Sequence, residues 1–180
     1  MKKNLLYLIM SAAIIFAACK EEKKDDKPTG KENLSGSVTG TKTLDAATTY
    51  TLVGPLIVED GGVLTIPAGT TIKAKKGFGN YILVLQGGKI NVNGTAEKPV
   101  TMTADIANAE QGHWGGLIIN GKAPLADPSE VGSTEINSAY VYGGSDPNDN
   151  SGSITYLKLE YTGARSSADV EHNGLTLNGV

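Results

Sequence analysis

The apolar positions of this chain fall into two regimes. From Leu5 to Ala18 they form one nearly unbroken run of 14 residues. From about Ser35 onward they come in short β-branched bursts parted by Gly, Asn and Pro: Leu56–Val58, Val63–Ile66, Thr71–Ala74, Ile82–Leu85, Lys89–Val92, Val100–Thr103, Leu117–Ile119, Ile154–Leu159 and Leu175–Leu177. No stretch in this second regime repeats apolar residues at i, i+3, i+4 and i+7 over three turns, so no amphipathic helix is expected there. Runs of three to six residues bounded by turn formers predict an all-β fold.

Internal similarity narrows the architecture. Gly61-Gly62-Val63-Leu64-Thr65-Ile66-Pro67-Ala68-Gly69-Thr70 aligns with Gly87-Gly88-Lys89-Ile90-Asn91-Val92-Asn93-Gly94-Thr95, 26 residues later. The strands that follow also correspond, Thr71–Ala74 with Val100–Ala104, and Asn173–Gly179 reads as a weaker third copy. Repeats of roughly 20–50 residues mean a solenoid or a propeller. A propeller blade needs four strands over about 40–50 residues, whereas this unit holds about three short strands in 26, which fits one coil of a parallel β-helix. Such coils stack about 4.8 Å apart. Leu64 is expected over Ile90 inside the stack, with Leu175 as a further rung, while Thr65, Asn91 and Thr176 point outward.

The ends of the chain carry different signals. Lys2 and Lys3 precede the first apolar run, which is too short for a hydrocarbon core needing about 20 residues and has the flanks of a secretory signal. The run ends in Phe16-Ala17-Ala18-Cys19, which resembles the lipobox of bacterial lipoproteins; the family's consensus prefers Leu where Phe16 stands. Residues 1–18 are therefore expected to be removed and Cys19, the single cysteine, to be acylated. With no second thiol, no intramolecular disulfide can form, so stability must accumulate along the stack of coils. Residues 19–34 are highly charged and poor in apolar groups, which predicts a disordered tether, with the β-helix domain spanning 35–180. Lys20-Glu21-Glu22, directly after the lipid cysteine, resembles the lipoprotein export signal of Bacteroidetes and implies display on the outer face of the outer membrane. Loss of Lys2 and Lys3 leaves 14 Lys and Arg against 19 Asp and Glu. With only the short Lys73-Ala-Lys75-Lys76 cluster, the chain lacks the concentrated positive charge that phosphate backbones require, so nucleic acid is not an expected partner.

Four stretches together resemble the right-handed parallel β-helix lipoproteins of Bacteroidetes: Gly62–Thr71, Asn93–Thr103, Gly112–Ile119, and Gly144–Gly152 followed by Ile154–Tyr161. They cover most of residues 50–180. Members of that group are usually longer, and no polar capping segment follows His172, so the β-helix is expected to be incomplete at its C-terminus.

Few residues suggest chemistry. The loop Asp146-Pro-Asn148-Asp149-Asn150-Ser-Gly152 offers oxygen ligands to a hard cation such as Ca²⁺, with Asp146, Asn148, Asp149 and Asn150 as candidates. Leu157 stands where an EF-hand needs a bidentate Glu, so that motif is excluded; the competing reading is a loop of Asx turns capping the next strand. Trp114, beside His113, is a candidate stacking platform for a sugar, against the alternative that it packs across the end of a coil. His172 reads as a lone surface histidine. Polysaccharide lyases of β-helix type use Arg or Lys with Ca²⁺-binding acids, and the only Arg is Arg165. The residues favour a non-catalytic surface lipoprotein that presents a polar face for adhesion, glycan contact or envelope structure. Its partners would be the membrane, through the lipid anchor, and a glycan or protein ligand. The alternative is a carbohydrate-active enzyme whose catalytic coils lie beyond Val180.

Overall fold

The computed structural model describes residues 29–127 and 129–180. Every regular element among them is a β-strand. In chain order these are β1 (Gly30–Val38), β2 (Thr41–Thr43), β3 (Thr48–Val58), β4 (Val63–Pro67), β5 (Thr71–Ala74), β6 (Gly77–Val84), β7 (Lys89–Asn93), β8 (Val100–Ala104), β9 (Trp114–Asn120), β10 (Gly132–Thr134), β11 (Asn137–Tyr142), β12 (Gly152–Thr155), β13 (Leu157–Leu159) and β14 (Gly174–Asn178).

All pairings except β10 with β11 and an isolated bridge are parallel, and they fall on three faces. The first face stacks the N-terminal part of β1 on that of β3, then β5, β8 and β13. The second stacks the C-terminal part of β1 on that of β3, then β6, β9 and β14. The third runs β2, β4, β7, β12. The chain visits the three faces in turn and steps up one coil each time, so it is a parallel β-helix. The 26-residue repeat is one such step: Leu64 pairs with Ile90 and Leu56 with Ile82.

Side chains alternate across each strand, as a period of two requires, and β4, β5, β7 and β8 bury every second residue completely or nearly so. Inward residues form ladders. Tyr50, Ile72, Met102 and Leu159 are in register on the first face, and Leu56, Ile82, Leu117 and Leu175 on the second. Ile66, Val92 and Ile154 follow on the third. The repeated Gly-Gly corners have a steric cause. A Cβ on Gly88 would lie 2.7 Å from the Val58 carbonyl oxygen of the coil below, and Gly87 turns the chain at φ 84°. A left-handed turn followed by a close approach of two backbones suits glycine.

Three expectations are revised. Leu175 does not continue the Leu64–Ile90 ladder, because β14 pairs with β9; the third-face successor of β7 is β12. The apolar run Ile154–Leu159 is two strands on different faces, broken at Tyr156 with φ 45°. The segment expected to be a tether to residue 34 already forms β1 from Gly30, since Leu34 is buried on Leu52 and the Gly30 N–H reaches the Ala47 carbonyl.

In the first coil, Glu32 and Lys42 occupy rungs below Tyr50 and Leu64 and pair at 3.4 Å. Charged groups at inward positions of an edge coil discourage further strand pairing. At the other end Leu175 and Leu177 are 42% and 55% exposed.

Candidate functional site

Most of the outer surface of the solenoid is plain strand, but the second face is covered. Tyr81 and Leu83 of β6 and Ile118 and Asn120 of β9 point away from the core and are nevertheless buried. The cover is the excursion between β9 and β12, which carries the antiparallel hairpin β10–β11. Its Ile136 and Tyr140 pack on Tyr81, Leu83 and Ile118. Asn120 donates its amide to the carbonyls of Tyr140 and Val141 at 3.3 and 3.2 Å, and Gln86 donates to those of Gly121 and Gly143 at 2.9 and 2.7 Å. Buried backbone carbonyls of the excursion thus find donors on the coils.

A second excursion, residues 160–173, joins β13 to β14. It is closed by the Arg165–Glu171 ion pair and bridge and by the His172 N–H to the Ala164 carbonyl. Between this loop, the hairpin and β14 lies a groove of about 90 Å³. The hairpin contributes Glu135 and Tyr142, the loop Glu171 and Asn173, and β14 Thr176 and Asn178, over Ile118. Hydroxyl, amide, phenol and carboxylate groups thus converge beside an apolar floor, which suits a ligand rich in hydroxyls. Asn178 is oriented by its 3.0 Å bond to Asn120.

His172, expected at the surface, is 4% exposed in the groove wall. Its Nε2 lies 2.9 Å from the Phe78 carbonyl, and its ring packs on those of Phe78 and Tyr81. Burial, opposed in part by the Phe78 bond, holds the imidazole below its usual range. Burial, and then the hydrogen bond and proximity to Tyr140, push the Tyr81 hydroxyl far above the ordinary phenol range, so it stays protonated.

Trp114 is not a sugar platform. It is fully buried in the core, and its indole N–H donates to the Glu160 carbonyl at 2.8 Å. Gly115, next to it, faces Tyr81 and His172 on the outer side, while the indole enters the stack. Its neighbour His113 is also buried, with Nε2 3.1 Å from Asp105.

The Asp146–Asn150 loop precedes β12. Asp146 Oδ1 accepts from the Asn148 N–H at 2.9 Å, Asn150 Oδ1 from the Gly152 N–H at 3.0 Å, and Asp149 Oδ2 from the Ser151 hydroxyl at 2.9 Å. The Asp146 and Asn150 bonds are Asx-type turns, and the Asn150 turn caps the start of β12 at Gly152. No group of three or more His, Cys, Asp or Glu side chains among the described residues is placed to hold a metal ion. Cys19, Lys20, Glu21 and Glu22 lie outside the described residues.

The groove has no local signature in the sequence. The alternation Asn137-Ser-Ala-Tyr140-Val-Tyr142 was the available sign of the hairpin, but nothing local says which face it covers.

Stacked parallel coils with loops built up over one outer face define a parallel β-helix protein. The chain belongs to the pectate-lyase-like β-helix domain family, whose model matches residues 36–180. No curated protein and no solved structure matches it.

Proposed function

We propose that this chain is a non-catalytic, lipid-anchored protein of the outer-membrane surface that contacts glycans through the groove on its second face. The observation that carries this reading is the groove's lining: Asn173, Thr176 and Asn178 beside Tyr142 present alternating hydrogen-bond donors and acceptors next to an aromatic ring. Sugars offer hydroxyls at similar spacing and an apolar ring face. Of its two carboxylates, Glu171 is already committed to Arg165, which leaves Glu135 without a second free acid to share proton transfer. In this reading Cys19 carries the lipid and Lys20-Glu21-Glu22 direct the protein outward, as the resemblance to Bacteroidetes lipoproteins implies.

A second reading, a carbohydrate-active enzyme with catalytic coils beyond Val180, is favoured by the family's pectate-lyase likeness. The two are separated by incubating the protein, together with any native sequence downstream of Val180, with a panel of neutral and acidic polysaccharides and scoring both retention and polysaccharide chain length. Retention without cleavage is expected, reduced by Asn178→Ala and Tyr142→Ala. Shortened chains would favour the enzyme, and absence of retention on every glycan would remove glycan contact.

A further inference from the structure

His172 fastens the 160–173 loop to the solenoid in a way that tolerates only its neutral form. A carbonyl can only accept, so the 2.9 Å contact with the Phe78 oxygen puts the ring proton on Nε2. Nδ1 is then a bare lone pair, buried and with no hydrogen-bond partner. The rings of Phe78 and Tyr81 pack against the imidazole with centroids 4.6 and 5.1 Å away. A Cβ on Gly115 would come within 2.9 Å of ring carbons, so β9 closes that side. An unpaired lone pair in such a site is a modest cost; a second N–H with a full positive charge and no acceptor is a large one.

We infer that His172 is an acid-released latch: neutral, it pins the 160–173 loop and with it the groove wall of Glu171 and Asn173, and once protonated it leaves its seat and that wall opens. The inference rests on the groove being the ligand site proposed above, since it assigns that site a control.

The groups around the ring agree with this. From β6 come Phe78, which is apolar, and Tyr81, which stays protonated and is hydrogen-bonded to Tyr140 of β11. From β9 comes Gly115, which carries no charge. On its own loop, Glu171 is engaged by Arg165. Glu135 lies across the groove. No anion is therefore seated against Nδ1, while the two carboxylates lining the groove offer a displaced imidazolium a polar place to go. Burial already depresses the proton affinity of the latched ring, which fixes the sign. Above the unfolded value of about 6.5 both latched and released rings are neutral and the latch is at full strength. As pH falls below it, the released ring takes a proton that the latched one refuses. The latched state is then disfavoured by up to about tenfold per pH unit until the latched ring itself titrates.

The chain has two histidines, His113 and His172, so a His113→Gln variant assigns their imidazole resonances in the full chain in detergent micelles. Amide exchange corrected for its intrinsic pH dependence should accelerate for residues 163–174 by up to about tenfold per pH unit below about pH 6, with β4 and β7 unchanged. His172→Phe keeps an apolar ring in the seat and should make the loop's exchange independent of pH. The latch is wrong if the wild-type loop stays protected down to about pH 4, or if His172→Phe shows the same acid response. Should that variant not fold, an imidazole of His172 titrating at the value of a free histidine would overturn the inference equally. No glycan enters these measurements, so their outcome is separate from retention at neutral pH, which judges the groove itself.

Discussion

Asn178 hands its side-chain amide to the Oδ1 of Asn120, one coil below, at 3.0 Å, and Asn120 in turn donates to the Tyr140 and Val141 carbonyls of the covering hairpin. One buried amide therefore ties together β14, β9 and β11. Replacing it with Ala leaves two partly buried carbonyls without those donors. Leaving one buried polar group unsatisfied costs about 1–3 kcal/mol. Asn120→Ala is expected to destabilise the chain by that order and to free residues 137–142 for amide exchange before the coils open. Exchange that stays uniform across β11 and β9 would show that the amide does not anchor the hairpin.

Trp114 gives a second test, because the chain has a single tryptophan and it sits in the core. Trp114→Ala should cost about 3–5 kcal/mol, as large buried aromatics do. Trp114→Phe should cost less, chiefly through the lost bond to the Glu160 carbonyl. The fluorescence of the native protein should be blue-shifted, poorly quenched by acrylamide and unmoved by any glycan. A quenchable indole, or one shifted by ligand, would contradict its burial.

The mistaken role for Trp114 shows where the sequence is legible and where it is not. The 26-residue step between Leu64 and Ile90 could be read because no insertion separates those coils, so matching corners recur in both. Asn173–Gly179 resembles the same phrase, yet its alternation is one that any strand of a β-helix shares. Which face it joins is decided by the excursions 121–151 and 160–173, and local pattern carries no information on where they return. Trp114 among glycines looks like an exposed turn; its burial depends on the Glu160 carbonyl, 46 residues on. His172 depends likewise on Phe78, 94 residues back. β1 carries little strand signal because its outward residues Lys31 and Asn33 and its edge residue Glu32 mask the two that are buried, Leu34 and Val38.

The repeated glycines make a contrast that needs no ligand. Gly88 lies where a Cβ would stand 2.7 Å from one backbone oxygen of the neighbouring coil and 2.8 Å from another, whereas Gly40, in the corresponding corner of the first coil, has nothing within 4 Å. Backbone cannot move aside without disturbing the ladder from β4 to β7. Gly88→Ala should therefore cost on the order of 1–3 kcal/mol of stability and lower the urea midpoint accordingly. Gly40→Ala should be neutral or raise stability by up to about 1 kcal/mol, since it restricts the unfolded chain. Equal effects at the two sites would mean that coil stacking does not set the tolerance.

The anchor is tested at the other end of the chain. Ten residues lie between Cys19 and Gly30, where β1 begins, and the eleven steps of chain reach at most roughly 40 Å when fully extended. A lipid on Cys19 would thus keep the first coil within that distance of the bilayer. A single acyl chain gives only marginal, reversible attachment, so stable anchoring needs the several chains that a lipoprotein cysteine carries. Cys19→Ser should therefore move the protein from the detergent phase to the aqueous phase or leave it uncleaved. Ala at Lys20, Glu21 and Glu22 should leave the lipid in place and change only which side of the outer membrane the β-helix faces. Protease added to whole cells should then remove the wild-type domain and spare the triple-Ala variant. A mature Ser variant that still enters detergent would exclude Cys19 as the anchor, and equal shaving of wild type and triple variant would exclude the three charged residues as the export signal while leaving the anchor untouched.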